Sequence, residues 1–204
     1  MLCAKGDTVL IHTPAYIGFT HTLENNGYRA VHSPLVLDEN NVWRMDFEDM
    51  ERKILSDRIH TLVFCSPHNP CGRVWERWEL EKLMELCKKH DVYVISDEIW
   101  SDLTLEGFHH TPTQSISEDA KMRTVGIYAP SKTFNLAGLV GSYRIVYNKR
   151  IRDLMDKEAK LTQYNHRNVL SMHALIAAYS TEGMEWVDEL RQVLTGNVNF
   201  ACDF

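Results

Sequence analysis

The sequence predicts an α/β domain, a mostly parallel sheet covered by helices, and three observations carry that prediction. Short apolar segments alternate with longer amphipathic ones along the chain, the rhythm of strand–helix–strand units. Residues 61–65 and 92–96 are nearly continuous apolar runs, as strands covered on both faces require. The chain has 204 residues and 44% hydrophobic content, enough for one ordinary domain with a real core.

Taken in order, residues 8–12 form a short apolar strand ended by Pro14-Ala15-Tyr16. Residues 17–26 read as a helix closed by Gly27, and residues 29–34 as another short strand. Residues 46–56 are helical, with Asp46 as N-cap and Asp49 three positions on, a weak variant of the capping box. A strand at 61–65 leads into a loop at 66–73 that holds two prolines and a glycine. Residues 76–90 make a strong helix, because Leu80, Leu83, Met84 and Cys87 recur at helical spacing. Strands follow at 92–96, 123–128 and 142–147, and helices at 149–161, 168–179 and 182–195. Both ends of the sequence fall inside elements, which predicts a piece of a larger chain.

Composition excludes several classes. The formal charge is −6 and no basic run with interleaved aromatics occurs, which argues against a nucleic-acid partner. No apolar run approaches membrane-spanning length, so no membrane partner is expected. The N-terminus lacks the paired basic and apolar regions of a secretion signal. The five cysteines, Cys3, Cys65, Cys71, Cys87 and Cys202, form no metal or CxxC spacing. Cys65 and Cys87 lie in apolar contexts and suit buried thiols in a reducing compartment, with the cytoplasm as the expected location. The phosphate-binding loop, the dinucleotide glycine fingerprint and the GxSxG elbow are all missing. The ten histidines, His166 among them, show no HExxH spacing, and His109-His110 reads as a loop pair.

Polar residues cluster where such a sheet binds ligands, at the carboxyl ends of its strands. Lys132 lies in Ala129-Pro130-Ser131-Lys132-Thr133-Phe134-Asn135-Leu136-Ala137-Gly138, just past the strand at 123–128. An amine there can reach into a crevice and hold an aldehyde cofactor as a Schiff base. Asp97 follows the strand at 92–96. It suits a salt bridge or cap, or an anion that keeps a heterocyclic nitrogen protonated, as pyridoxal phosphate requires. Asn69, in His68-Asn69-Pro70-Cys71-Gly72-Arg73, is a turn residue whose amide can also face a cofactor oxygen. Tyr16 suits either core packing or stacking on a planar ring. Ser131 offers a hydroxyl to a phosphate. His68 is a structural residue or an acid–base group, Arg73 a salt-bridge partner, and Glu98 faces away from Asp97 in a structural role. Gly138 and Gly141 predict close packing or a tight turn.

Four linked segments then resemble the fold-type I pyridoxal-phosphate enzymes of the class I/II aminotransferase superfamily. They are Thr13-Pro14-Ala15-Tyr16, Ser66-Pro67-His68-Asn69-Pro70-Cys71-Gly72-Arg73-Val74-Trp75, Ser96-Asp97-Glu98-Ile99-Trp100-Ser101-Asp102-Leu103 and the lysine segment quoted above. In detail they look like the bacterial cystathionine beta-lyase and C-S lyase branch. The resemblance implies a three-layer αβα fold, with residues 1–204 forming an incomplete large cofactor-binding domain and residues 183–204 leading into a small domain. It implies that Lys132 holds pyridoxal 5'-phosphate, Asp97 its ring nitrogen and Asn69 its ring hydroxyl, with Tyr16 stacked on the ring and Ser131 near the phosphate. It further implies a small-molecule amino-acid substrate, a homodimer in the full-length protein, and β-elimination on sulfur amino acids to pyruvate, ammonia and a thiol. An aminotransferase, or a non-catalytic regulatory or binding fragment, are the alternatives. Trp100 stands where many aminotransferases of the family carry tyrosine. No arginine occurs between Leu136 and Gly141, leaving Arg144 as a phosphate-clamp candidate. Both departures favour the lyase.

Overall fold

A computed structural model describes residues 2–163 and 168–204; His166 lies outside them. Its centre is a six-stranded sheet in the order β2-β1-β5-β6-β7-β8. The strands are β1 (Thr8–Thr13), β2 (Arg29–Pro34), β5 (Thr61–Cys65), β6 (Tyr93–Asp97), β7 (Thr124–Tyr128) and β8 (Tyr143–Ile145). The first five run parallel, and β8 is antiparallel to β7. The segment at 142–147 therefore yields a three-residue edge strand. A small antiparallel pair, β3 (Val36–Leu37) and β4 (Trp43–Arg44), stands apart.

Helices α1 (Ile17–Asn25), α2 (Phe47–Ser56), α3 (Arg77–Lys89), α6 (Lys149–Thr162), α7 (Val169–Ala178) and α8 (Thr181–Asp203) correspond to the predicted ones. The last runs well beyond residue 195, since nothing from Gly196 onward interrupts it. Two short helices were not foreseen: α4 (Glu118–Arg123) and α5 (Pro130–Thr133). Ser117 caps α4 through a hydrogen bond from the Ala120 amide. Gly27 closes α1 with φ +80, a left-handed conformation that glycine adopts without strain.

Strand residues alternate between the two faces. On one face Leu10, Leu62, Phe64 and Val94 meet Met50, Ile54, Leu80, Leu83, Met84 and Cys87 of α2 and α3 in the main core. On the other, Val125, Val146 and Ile151 form a smaller cluster. Beside that cluster an apolar cavity of about 250 Å³ opens between Val63, Ile95 and Ile127 of the sheet and Leu154 and Met155 of α6.

Candidate active site

The parallel strands all end on one edge, so the loops after β1, β5, β6 and β7 converge there. In-register pairing sets Cys65 beside Asp97 and Asp97 beside Ile127. Asp97 is the last residue of β6 rather than the first after it, because its backbone still pairs with β7. Its side chain accepts a hydrogen bond from the Ile99 amide at 3.2 Å. Burial pushes the Asp97 carboxyl above the usual carboxylate range and the Glu98 charge adds to this, while the Ile99 bond and the Lys132 charge act the other way. A carboxylate so placed gains most from a cationic partner.

Lys132 stands on α5, not in an open loop. Pro130 at the first helical position, preset in φ, starts the helix after Ala129. Buried Thr133 donates to Asp102 at 3.0 Å, and the Tyr179 hydroxyl approaches the same carboxylate oxygen at 3.5 Å. The ring of Phe134 packs edge-on to Tyr179 at 5.1 Å. The helix is thus anchored from below, and the exposed Lys132 amine lies 5.4 Å from the centroid of the Trp100 ring, within cation–π range. Trp100 serves here as a face for the lysine.

Asn69, half-buried, sits in the loop after β5, where the His68 amide donates to the Arg73 carbonyl and the Gly72 amide to the His68 carbonyl. Gly72 takes φ +64 in that turn. Arg73 donates to Glu79 at 2.6 Å, as expected of a salt-bridge residue. Tyr16 occupies the N-cap position of α1 with its ring 51% exposed, edge-on to Phe19 at 5.5 Å. A Cβ on Gly18 would come within 2.3 Å of that ring, so the glycine is what lets the ring fold back over the helix start. Tyr16 is therefore surface, not core. Ser131 is half-buried next to Lys132.

The structure thus brings Asp97, Trp100 and Lys132 together and sets Tyr16, Asn69 and Ser131 on the same edge. Several other residues resolve differently. His68 is buried with its ring edge-on to Trp75, and burial pushes it down to about 4, so it is neutral at pH 7. Cys65 is pushed up to about 12 by burial, so it is a thiol and not a nucleophile. Arg144 pairs with Asp156 of α6 at 3.1 Å. Among the described residues nothing comes within 4 Å of a Cβ built on Gly138 or Gly141, and Gly138 lies in the turn Ala137–Leu139. His109 and His110 do lie in a loop, and His110 reaches from it to place its Nε2 2.8 Å from buried Glu98. Neither His110 nor Tyr128, which also meets Glu98, was foreseen as part of this edge. The only hint was Gly126 two residues before Tyr128, a small residue on the same face of a buried strand.

An open, mostly parallel α/β sheet with an amine and a carboxylate at the ends of adjacent strands defines a protein that binds a small ligand at its carboxyl edge. The family profile "Aminotransferase class I and II" matches residues 1–203, and the chain belongs to that family. It is 41% identical over 199 residues to cystathionine beta-lyase PatB of Bacillus subtilis (strain 168), covering 98% of this chain and 51% of that protein. It is 35% identical over 201 residues to protein MalY of Escherichia coli (strain K12), covering 97% and 50%. The structure of cystalysin from Treponema denticola, which contains a pyridoxal 5'-phosphate cofactor, superposes with a TM-score of 0.93 at 34% identity, covering 99% of this chain and 51% of that one. The chain spans about half the length of the curated relatives it matches. Among the described residues no helix is long and apolar enough to cross a membrane.

Proposed function

We propose that the protein carrying this chain is a pyridoxal-phosphate-dependent carbon–sulfur β-lyase that converts sulfur amino acids to pyruvate, ammonia and a thiol. One observation carries the reading: Lys132 and Asp97 stand at the ends of adjacent parallel strands, within electrostatic reach of each other. Identity to a cystathionine beta-lyase favours elimination over transamination.

The residues present fit the cofactor. The Lys132 amine suits its aldehyde. Asp97, held above its usual range chiefly by burial, suits a protonated ring nitrogen whose charge would offset that burial. The Asn69 amide suits the ring hydroxyl, the exposed Tyr16 ring a stacked plane, and the Ser131 hydroxyl the phosphate. Arg144, engaged with Asp156, is not assigned to the phosphate. When bound, the cofactor supplies an electron sink for the pair left behind by the substrate's α-proton. Lys132, once its amine is free, takes that proton as general base. Asp97 would face the ring nitrogen, whose positive charge would hold the carboxylate ionised against its burial. With the cofactor bound, that proton transfer would let the thiolate leave the β-carbon, and the Lys132 amine would displace the product amine, which would hydrolyse to pyruvate and ammonia.

The amino-acid substrate, a homodimeric full-length protein and a cytoplasmic location complete the reading. The last is supported by five unpaired cysteines, as a reducing compartment keeps them. The test is borohydride trapping with added pyridoxal phosphate, followed by peptide mass mapping. Label on Lys132 is expected, together with pyruvate and ammonia from cystathionine without any keto-acid acceptor. An absolute requirement for an acceptor would instead identify an aminotransferase.

A further inference from the structure

Glu98 follows Asp97 directly, one residue past the end of β6, and is engaged by a different set of groups. Glu98 is fully buried at 0% exposure, and both its oxygens are doubly used. One accepts from the Ser96 hydroxyl at 2.8 Å and the Thr113 amide at 3.1 Å. The other accepts from the Tyr128 hydroxyl at 2.8 Å and from His110 Nε2 at 2.8 Å. Its own amide donates to the Ile127 carbonyl at 2.9 Å. Burial by itself would raise the Glu98 carboxyl, but His110, Tyr128 and Ser96 outweigh it and hold Glu98 below its usual range. An ionised carboxylate only accepts, so Nε2 of His110 carries a hydrogen.

The donors come from three places: the end of β6, the segment around residues 110–113, and the end of β7. The link to β7 is double, through backbone and side chain. Only Ala129 and Pro130 separate Tyr128 from Ser131 and Lys132. Gly126 completes the arrangement, for a Cβ there would sit 3.0 Å from the Tyr128 ring and 3.2 Å from its hydroxyl. The bare backbone lets the ring lie along the strand, where it also stacks on Tyr143 at 5.4 Å.

We propose that Glu98 is a positioning residue: by clamping Tyr128 it fixes where β7 delivers Lys132 relative to Asp97. The proposal rests on the reading of Lys132 and Asp97 as cofactor ligands. Stability alone does not call for such a group, because a buried carboxylate with four donors seldom stabilises more than apolar packing does. What four directed bonds add is a fixed geometry between two strand ends.

The test compares the full wild-type chain with Tyr128→Phe, Gly126→Ala, Glu98→Gln and the Glu98→Gln/Tyr128→Phe pair. Two quantities are read: affinity for pyridoxal phosphate with borohydride labelling of Lys132, and the thermal midpoint without cofactor. Loss of the Tyr128 hydroxyl should weaken affinity about 5-fold and slow labelling, while the midpoint moves by less than about 4 °C. Gly126→Ala should act in the same direction. In the double variant the Tyr128→Phe change should cost less than it does alone, because Glu98→Gln, keeping a single uncharged acceptor, already weakens the bond that Tyr128 makes. Wild-type labelling at Lys132 with unchanged affinity and labelling in Tyr128→Phe would overturn the positioning role and leave the site reading intact. Absence of label at Lys132 in the wild type would overturn the site reading and the positioning role with it. Should Glu98→Gln fail to fold, Tyr128→Phe and Gly126→Ala still decide the matter.

Discussion

His12 and His68 lie close together at the Asn69 loop, each 3% exposed and each with a buried Nδ1 that has no hydrogen-bond partner among the described residues. Their rings pack against Trp75. Burial pushes His12 down to about 3, with His68 adding a little, and His68 down to about 4. Both are therefore neutral in the fold, while in the unfolded chain they take up protons below about pH 6.5. The unfolded state thus binds more protons, and stability present above pH 6.5 is lost as pH falls toward the folded values. At pH 5 the loss should reach about 2 kcal/mol per histidine. Urea midpoints at pH 7 and pH 5 measure it, and His68→Phe should roughly halve the drop. At the same scale, Lys132→Ala should lower pyruvate release by on the order of 10³-fold or more and abolish borohydride labelling. Its exposed position on α5 predicts little change in melting. Unaltered turnover in that variant would remove the lysine from the mechanism.

At the scale of elements, the helix starts carry much of the specification. Asp46 accepts from the Asp49 amide at 3.0 Å, the cap that the sequence announced. Asp46→Ala should cost about 1 kcal/mol in denaturant unfolding. The cap of α3 was less visible. Glu76 stands at its N-cap, and Glu79 reaches back to the Glu76 amide at 2.9 Å, a capping box built from two glutamates. Glu79 is also buried and binds Arg73, with Arg44 at 3.3 Å. Glu79→Ala removes both the capping bond and the 2.6 Å partner of Arg73, leaving Arg73 only Glu76 at 3.6 Å while Arg44 keeps Asp38 and Glu76, so its expected cost is larger, on the order of 2 kcal/mol. An equal cost for the two substitutions would mean that Arg73 finds another partner. The short helices α4 and α5 escaped the sequence pattern because four to six residues hold too few turns to show a period. They exist because Ser117 and Pro130 start them and because tertiary contacts anchor them, through Arg123 donating to the Val92 carbonyl at 3.1 Å in α4 and Thr133 with Asp102 in α5.

Over the whole molecule the two faces of the sheet are unequal. The α2–α3 face is closed around fully buried Leu80 and Leu83, whereas the α6 face borders the cavity lined by Val63, Ile95 and Leu154. Leu80→Ala should cost about 3 kcal/mol, since the hole it leaves is walled on every side. Leu154→Ala, from a side chain 37% exposed at the cavity rim, should cost less than about 1 kcal/mol. Chevron or equilibrium urea curves on both variants decide it. The sequence by itself determined the alternating order of strands and helices, the caps at Asp46 and Gly27, and the placing of Tyr16, Asn69, Asp97 and Lys132 at strand ends. These follow from local periodicity and residue chemistry, which neighbours in the chain express directly. Tertiary structure alone decided that β8 runs antiparallel, that Arg144 turns to Asp156, that the Lys132 amine rests over Trp100, and that His110 and Tyr128 meet on Glu98. Each of those depends on groups far apart in sequence. A buried charge or hydroxyl binds whichever partner the packed sheet brings within hydrogen-bond reach, and no local pattern records that partner.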